Sequence, residues 1–441
     1  MTQETAVERA PVEVWEQVIF WALYDDLIFN YSNPLLIVRS IRCHHDFRIT
    51  RYQRLEVNRI TLRLVCRSWN EIALTTLRIY VHRRRKLGGT PPATYKLHYI
   101  DYSAQSTDLV TLINILSSPA AARITTLSAT ICDGGFTCSQ VPQMLHSAST
   151  LNNTLRSLSL HFRYQTAELW FSLGEIAKLF PQLVSLSIFD SSGYERAMNE
   201  WSMPHLEVFD YTSYSPFPYN PSTSEWNLPA LKHLAIVFLS LRAEPGIGAA
   251  MSFLQAVRPS LETLALGSAG FRLRVPETCW QWLKGLRMLA VDDNIEGLQD
   301  LAVLPRLEVI FCAAYTLDLL PKPLIDWALK IATDRKNDRI AVSRTEGFQN
   351  GATITIQMAY TFTEVLQHVP IKGLRQANAY DEWPSVMPQK YVDRIVALAE
   401  TWGAAGVRVE GIDGLTYEET NERHRRRDRS GDGQQESYWL P

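Results

Sequence analysis

The stretch LRSLSL at residues 155–160 begins a short apolar pattern that recurs through the middle of this 441-residue chain. Two of its leucines alternate with serine, as in a short strand with one buried face, and a third leucine lies three positions earlier. Further copies, with apolar substitutions, begin 21 to 30 residues apart, which leaves room for one return segment between successive strands. They start at Leu183, Leu206, Leu231, Leu261, Leu286 and Leu307, and a weaker copy precedes them all at Ile124.

The segments between the copies predict how the chain returns from one strand to the next. Residues 168–180 carry apolar side chains at the helical period and are followed by Pro181, and residues 251–257 and 278–283 have the same character. Repeats of this length and pattern are typical of leucine-rich repeats. We therefore predict an α/β fold in which a small helical domain precedes an irregular leucine-rich-repeat solenoid, with parallel strands on the concave face and helices or extended segments outside. A parallel α/β sheet of another type is the alternative.

Composition divides the rest of the chain. Residues 39–86 hold thirteen Lys or Arg and three acids, which predicts either a basic surface for a partner or a solvated insertion. After Cys312 the pattern fades into predicted helices at 323–333 and 388–402 and a predicted strand at 352–360. We predict a helical domain at 1–90 with a basic insertion at about 24–59, the solenoid at 91–345, a C-terminal cap at 346–416 and a disordered charged tail at 417–441.

Two N-terminal stretches carry the most specific pattern. PVEVWEQVIFWAL at residues 11–23 and ITLRLVCRSWNEIALTTL at residues 60–77 both place apolar residues three and four apart, so each predicts a helix with one apolar stripe. Over about residues 10–80 the pair resembles an F-box, especially the F-box of fungal proteins that continue into leucine-rich repeats. The run LVCRSW at residues 64–69 is the most specific part of this resemblance.

The resemblance implies a role in protein ubiquitination. An F-box binds a Skp-type adaptor, which joins a cullin–RING (SCF-type) ubiquitin ligase complex, and the repeats then act as the receptor for a protein substrate. The sequence departs from the family at Ala10, where a leucine is usual, and in the 36 residues between Leu23 and Ile60, where the F-box is shorter. The positions that face the adaptor would be Pro11, Val14, Val18, Val65, Cys66 and Trp69.

A second class of function remains open, in which the chain is a leucine-rich-repeat scaffold for protein–protein interaction without a ligase. In that case the N-terminal helices only cap the solenoid, because the exposed end of a solenoid also needs a cover. Binding to a Skp-type adaptor distinguishes the two hypotheses.

The residues between the apolar positions of each copy face the concave side, where a substrate is expected to bind. The candidate contact residues are His161, Asp190, Asp210, His233, Asp292 and Asp293. Four of them are aspartates and no Lys or Arg joins them, so we expect a negative potential and a substrate segment that carries Lys or Arg. The alternative is that these aspartates accept hydrogen bonds from loop amides. The aromatic and proline-rich stretch at 211–226 predicts either a binding loop or a cover for the core.

Several function classes find no support in the sequence. The 44 basic and 46 acidic residues nearly cancel, so no general attraction to nucleic acid is expected. Phosphate-binding, hydrolase and zinc-protease motifs do not occur, and we expect no catalytic residues, no cofactor and no metal. No apolar stretch is long enough to span a membrane, and no secretory signal pattern is seen. Six cysteines without a C-x-x-C pair favour the cytoplasm or the nucleus.

Overall fold

The computed structural model of the chain has an α/β fold built on parallel sheets, and its described residues form two compact units. None of the helices in this described part is long and apolar enough to cross a bilayer. The structure describes residues 11–24, 30–32, 55, 57–75, 79–82, 99–104, 113–114, 116–117, 124–131, 140–151, 153–162, 173–190, 200–214, 217–222, 224–239, 246–268, 271–292, 295–297, 304, 306–307, 309–314, 354–360, 393, 396, 400, 407–410, 418–419, 421–422 and 425.

The first unit comprises residues 1–261 and 268–271 and begins with helices α1 (Val12–Ala22) and α2 (Arg67–Thr75). Its sheet has seven parallel strands in the order β1-β2-β3-β4-β5-β7-β9. Its strands are β1 (Ile79–His82), β2 (Tyr99–Ala104), β3 (Thr126–Ile131), β4 (Ser157–Phe162), β5 (Ser185–Asp190), β6 (Glu200–Ser202), β7 (Val208–Ser213), β8 (Glu225–Asn227) and β9 (His233–Phe238). The return segments contain helices α3 (Gln140–Ser147), α4 (Leu173–Leu179) and α5 (Ile247–Val257) and the two-stranded parallel pair β6–β8.

The copies of the apolar pattern coincide with the strands of this sheet and align with one another. Leu158 of β4 pairs in register with Leu186 of β5, which pairs with Phe209 of β7, which pairs with Leu234 of β9. The first leucine of each copy lies just before its strand and is fully buried, which contributes roughly 1.5–3 kcal/mol per side chain. The sequence prediction of an α/β fold with parallel strands is therefore confirmed. These leading leucines are Leu155, Leu183, Leu206 and Leu231.

The aromatic stretch at 211–226 covers the core where a return helix is absent. The ring of Phe217 lies 5.2 Å from that of Tyr211 and 5.3 Å from that of Phe253 in α5, and Trp226 lies 5.0 Å from Phe253. Tyr211 and Phe217 are buried, whereas Tyr214 is 41% exposed. Most of this stretch therefore packs inside the molecule, which is the second of the two expected roles.

The second unit comprises residues 262–267 and 272–441. Its sheet continues the same pattern in the parallel order β10-β12-β14-β15-β16. These strands are β10 (Thr263–Ser268), whose last residue belongs to the first unit, β12 (Met288–Asp292), β14 (Val309–Ala314), β15 (Ile354–Tyr360) and β16 (Val407–Glu410), with the short parallel pair β11 (Leu273–Arg274) and β13 (Ile295–Glu296) and helix α6 (Glu277–Trp282) between them.

Three sequence expectations compare with the structure as follows. The strand expected at 352–360 is present as β15, so parallel strands continue into the region for which a cap is expected. The tail expected to be disordered contains helical residues at 418–419, 421–422 and 425, where Glu422 and Arg425 have the spacing that supports a helix. The helix expected at 323–333 lies outside the described residues.

A glycine with a left-handed backbone holds the short pair β11–β13 together. Gly297 follows β13 with φ of +87°, and an added Cβ would clash with the carbonyl oxygen of Val275. The carbonyl of Gly297 also accepts a hydrogen bond from the indole N–H of Trp280 in α6 at 2.8 Å. Only glycine fits this backbone conformation and this close approach without strain.

We predict that Gly297→Ala destabilises the protein by about 2 kcal/mol or more, because it adds backbone strain to a steric clash. Gly248→Ala is the matched control, since Gly248 lies exposed in α5 and a Cβ there meets nothing within 4 Å. The control is expected to be neutral or to stabilise by up to about 1 kcal/mol. Urea denaturation measures both, and equal effects of the two substitutions would contradict the role of Gly297.

Candidate functional site

The two N-terminal helices form a small core of their own. Ile19 and Leu23 are buried against Ile72 and Ala73, and the rings of Trp15 and Trp69 stand 5.1 Å apart at the edge of this cluster. Helix α1 begins after Pro11 and carries Glu13 in its first turn, which suits the positive end of the helix dipole. We refer to α1, residues 57–65 and α2 as the helical pair.

The second stretch of the pair is interrupted by a turn, whereas the sequence predicts one continuous apolar stripe over 60–77. The backbone is helical up to residue 63, and amides of Leu64 and Val65 then bond to the carbonyls three residues earlier, at 3.1 and 3.2 Å. The guanidinium of Arg63 donates to the side-chain oxygen of Asn70 at 2.9 Å, which joins the two sides of the turn. The break turns Val65 away from the core, and Leu64 lies beside it on the outer side.

The helical pair therefore shows apolar side chains to solvent. Leu64 is 82% exposed, Val65 53%, Val14 47% and Val18 43%. Large apolar side chains concentrated on one part of a soluble protein mark an interaction surface. We call the following seven residues the exposed apolar set: Val12, Val14, Val18, Trp21, Ile60, Leu64 and Val65.

The residues expected to face an adaptor divide into two groups. Pro11, Val14, Val18 and Val65 are exposed, whereas Cys66 is half-buried and Trp69 packs on Trp15 in the core of the pair. Sequence reasoning missed Val12, Trp21, Ile60 and Leu64. These four residues lie off the apolar stripes, so helical periodicity alone does not single them out.

His161, Asp210 and His233 lie on the opposite face of the first unit's sheet from the buried leucines, in rows that cross the strands, and Asp292 does so in β12 of the second unit. Asp190 instead pairs in register with Phe162 and Ser213, which are both buried. The register aligns His161 with Phe189 and Phe189 with Thr212, and it aligns Ser187 with Asp210. Adjacent parallel strands lie about 4.8 Å apart, so neighbours in a row shield one another from water. Accordingly His161, His233 and Asp292 are only 5–6% exposed, which is less than expected for an open binding face.

The other aspartates differ from one another. Asp210 is half-buried and accepts a hydrogen bond from the Ser187 hydroxyl at 2.7 Å, so a neighbouring strand orients its carboxylate. The side chain of Asp190, the last residue of β5, and the whole of Asp293 lie outside the described residues. Within the described part of the first unit, Asp210 is the predicted acidic contact that retains exposure on this face.

Aromatic rings extend next to Asp210 toward the carboxyl ends of the strands. The ring of Phe189 lies 4.0 Å from that of His161 and 6.5 Å from that of Tyr214. Phe189 is half-buried and Tyr214 is exposed. A carboxylate beside exposed aromatic faces suits a cationic side chain, which is attracted both by the charge and by the rings.

We predict that the core and the exposed apolar set respond differently to a charge. Ala73→Asp buries an unpaired carboxylate at a fully buried position and is expected to unfold the helical pair. Val65→Asp is expected to change stability by no more than about 0.5 kcal/mol, because its side chain already meets water. Hydrogen exchange of the α1 amides measures whether the helical pair stays folded in each variant. Loss of protection in Val65→Asp would show that this side chain is needed for the fold.

Burial raises the pKa of the Cys279 thiol to about 12, which leaves it protonated and unreactive at neutral pH. Among the described residues, no three His, Cys, Asp or Glu side chains come together in a way that could hold a metal ion. Comparison with models of known protein families and with curated proteins finds no match for the chain.

Proposed function

We propose that the chain is the substrate-recognition subunit of an SCF-type ubiquitin ligase. The helical pair acts as an F-box that binds a Skp-type adaptor, and the parallel strands belong to an irregular leucine-rich-repeat solenoid that binds a protein substrate. The chain itself supplies no catalytic group in this proposal, since ubiquitin transfer takes place on other subunits.

The observation that carries the proposal is the exposed apolar set. A helical cap turns its apolar side toward the solenoid and its polar side to water. In this helical pair, one apolar side closes the core around Ile19 and Ile72, while Val14, Val18 and Val65 point to solvent. That arrangement favours a partner-binding role over the scaffold hypothesis, in which the pair is only a cap.

The repeat region supports the second half of the proposal. From β4 to β14 the strands of the repeat pattern begin 21 to 30 residues apart. Neighbouring strands within each unit are parallel and in register, and the return segments vary from helices to the β6–β8 pair. Variable returns are compatible with a leucine-rich-repeat solenoid because only the strand side has to repeat. Because the strands repeat the same geometry, they present one row of side chains after another to a ligand.

Asp210, Phe189 and Tyr214 are the substrate contacts that we infer on this face. Their combination of one oriented carboxylate and two accessible rings favours a substrate segment with Lys or Arg beside small or apolar residues. A phosphorylated segment is disfavoured, since its recognition requires clusters of arginine. The buried His161 supports the ring of Phe189 from the neighbouring strand.

We predict that Val65→Asp abolishes binding of a Skp-type adaptor without loss of the fold. Truncation or charging of a central apolar anchor costs about 2 kcal/mol or more, which weakens binding at least about thirtyfold. Titration calorimetry with the purified adaptor and the full chain measures the loss. Asn153→Asp is the control, because it places the same charge at an exposed turn before β4 and outside the helical pair.

Two outcomes would contradict the adaptor assignment. One is adaptor binding that survives deletion of residues 1–80, since the proposed contacts all lie there. The other is a folded parent chain that shows no adaptor binding, which would favour the scaffold hypothesis.

We predict that Asp210→Asn weakens the binding of peptides that carry Lys or Arg by about tenfold, because a charge-assisted contact is lost. Fluorescence anisotropy with a panel of defined basic peptides measures this change, and the difference between parent and variant is expected to shrink as salt is raised. Glu200→Gln is the control, because it makes the same change from carboxylate to carboxamide at an exposed position in β6. Equal binding of peptides with glutamine in place of the cations, or preferred binding of phosphopeptides, would contradict the charge argument.

A further inference from the structure

A short turn inside the N-terminal insertion lies against the sheet of the first unit. In this turn, residues 30–32, the side-chain oxygen of Asn30 accepts a hydrogen bond from the backbone N–H of Ser32 at 3.1 Å. Asn30 is exposed, whereas Tyr31 and Ser32 are half-buried. The turn directs the side chains of residues 31 and 32 toward the same edge of the sheet, as their contacts show.

Tyr31 binds at the start of β3. Its hydroxyl donates to the side-chain oxygen of Thr125 at 2.7 Å and accepts a hydrogen bond from the Thr126 hydroxyl at 3.4 Å. Both threonines lie where the chain enters the strand, more than ninety residues from Tyr31 along the sequence. The contact is therefore tertiary and does not depend on the local path of the insertion.

Ser32 binds at the start of β7. Its hydroxyl donates to the carboxylate of Glu207, the residue before that strand, and the same carboxylate forms an ion pair with Lys232 at 3.1 Å. Strands β4 and β5 lie between β3 and β7, so the two contacts are three strand spacings, roughly 14 Å, apart. The turn thus bridges four strands at the edge where they begin.

The electrostatics keep Glu207 charged. Burial raises the pKa of its carboxyl, but hydrogen bonding from Ser32 and the positive charge of Lys232 outweigh burial, so the pKa lies below its ordinary value. At neutral pH the Ser32 hydroxyl therefore faces a carboxylate, which accepts hydrogen bonds and repels negative charge.

Two attachments of the helical pair to the sheet can be identified from the described residues. Helix α2 ends at Thr75 and β1 begins at Ile79, so one connection is three residues long. The 30–32 turn is the second attachment and lies on the chain between α1 and α2. A single short connection leaves a body free to pivot about it, whereas a second attachment at a distance removes that freedom.

We propose that the 30–32 turn fixes the orientation of the helical pair relative to the seven-stranded sheet, and that negative charge at residue 32 releases it. The turn therefore gives the insertion, which sets this chain apart from a shorter F-box, a positioning role. One consequence for ubiquitination rests on the proposed function. It is that a substrate bound on the sheet is presented to the adaptor in one orientation. The attachment itself does not rest on the proposed function.

Ser32→Asp tests the proposal directly, because it places a carboxylate against that of Glu207. Spin labels attached at Glu16 on α1 and Asn153 before β4, both exposed, report the distance between the helical pair and the sheet. Labels on non-natural side chains avoid the six native cysteines. The parent is expected to show one narrow distance distribution, and Ser32→Asp is expected to lose that single peak. Tyr31→Phe is expected to broaden it less.

The chain contains a matched control in a second Asn-x-Ser turn. There the N–H of Ser222 donates to the side-chain oxygen of Asn220 at 3.0 Å, and Ser222 is exposed. Ser222→Asp is expected to keep the narrow distribution. A distribution as narrow in Ser32→Asp as in the parent overturns the proposal, as does equal broadening in both aspartate variants.

A separate measurement distinguishes this proposal from the adaptor assignment. Adaptor affinity of Ser32→Asp is expected to equal that of the parent, because the exposed apolar set is untouched. If no variant binds the adaptor, the proposed function fails while the distance measurement still decides the role of the turn. Loss of α1 amide protection in Ser32→Asp would show that the turn supports the fold of the pair, and this would overturn a purely positioning role.

Discussion

The burial of one apolar face on short parallel strands is the constraint on which the architecture depends. A strand of six residues cannot bury its own face, so Leu158 of β4 is stabilised only because Leu186 and its neighbours continue the layer. The leading leucine of each copy closes the layer where the chain enters the strand. This requirement fixes spacing and register, whereas the return segments need only cover the layer. Helix α4 and the aromatic stretch around Phe217 meet the same need with different structures.

The helical pair meets a different constraint, because two short helices can bury only one stripe each. Trp15 and Trp69 lie on these stripes and pack against each other within the pair. Leu64 and Val65 lie at the turn after residue 63 and are exposed to solvent. Full burial of an apolar side chain of this kind stabilises a protein by about 1.5–3 kcal/mol, and the exposed side chains forgo this free energy. A partner that covers these side chains recovers this free energy. This recovery of free energy is the physical basis on which we propose association, more than capping, for the pair.

Sequence periodicity predicted what depends on local repetition and missed what depends on tertiary context. The strands β3, β4, β5, β7, β9, β10, β12 and β14 and the helices α1, α4, α5 and α6 follow from the spacing of apolar residues, whereas β1, β2 and the short return strands do not. The burial of His161 and His233 does not, since it depends on side chains of neighbouring strands such as Phe189 and Val208, which are 28 and 25 residues away. The exposure of Val65, which lies on the apolar stripe, depends on a two-residue turn inside a helical pattern. The contact of Tyr31 with Thr125 spans 94 residues and has no signature in the spacing.

The two proposed surfaces differ in the physics of binding, and this difference suits a receptor with one constant and one variable partner. Burial of the exposed apolar set does not depend on salt or on protonation, so it favours a partner that stays bound. The face around Asp210 relies on charge, which salt screens, and on accessible rings, which tolerate different cationic segments. If the 30–32 turn holds the two surfaces in one orientation, geometry rather than affinity selects which residue of a bound substrate reaches the reactive subunit.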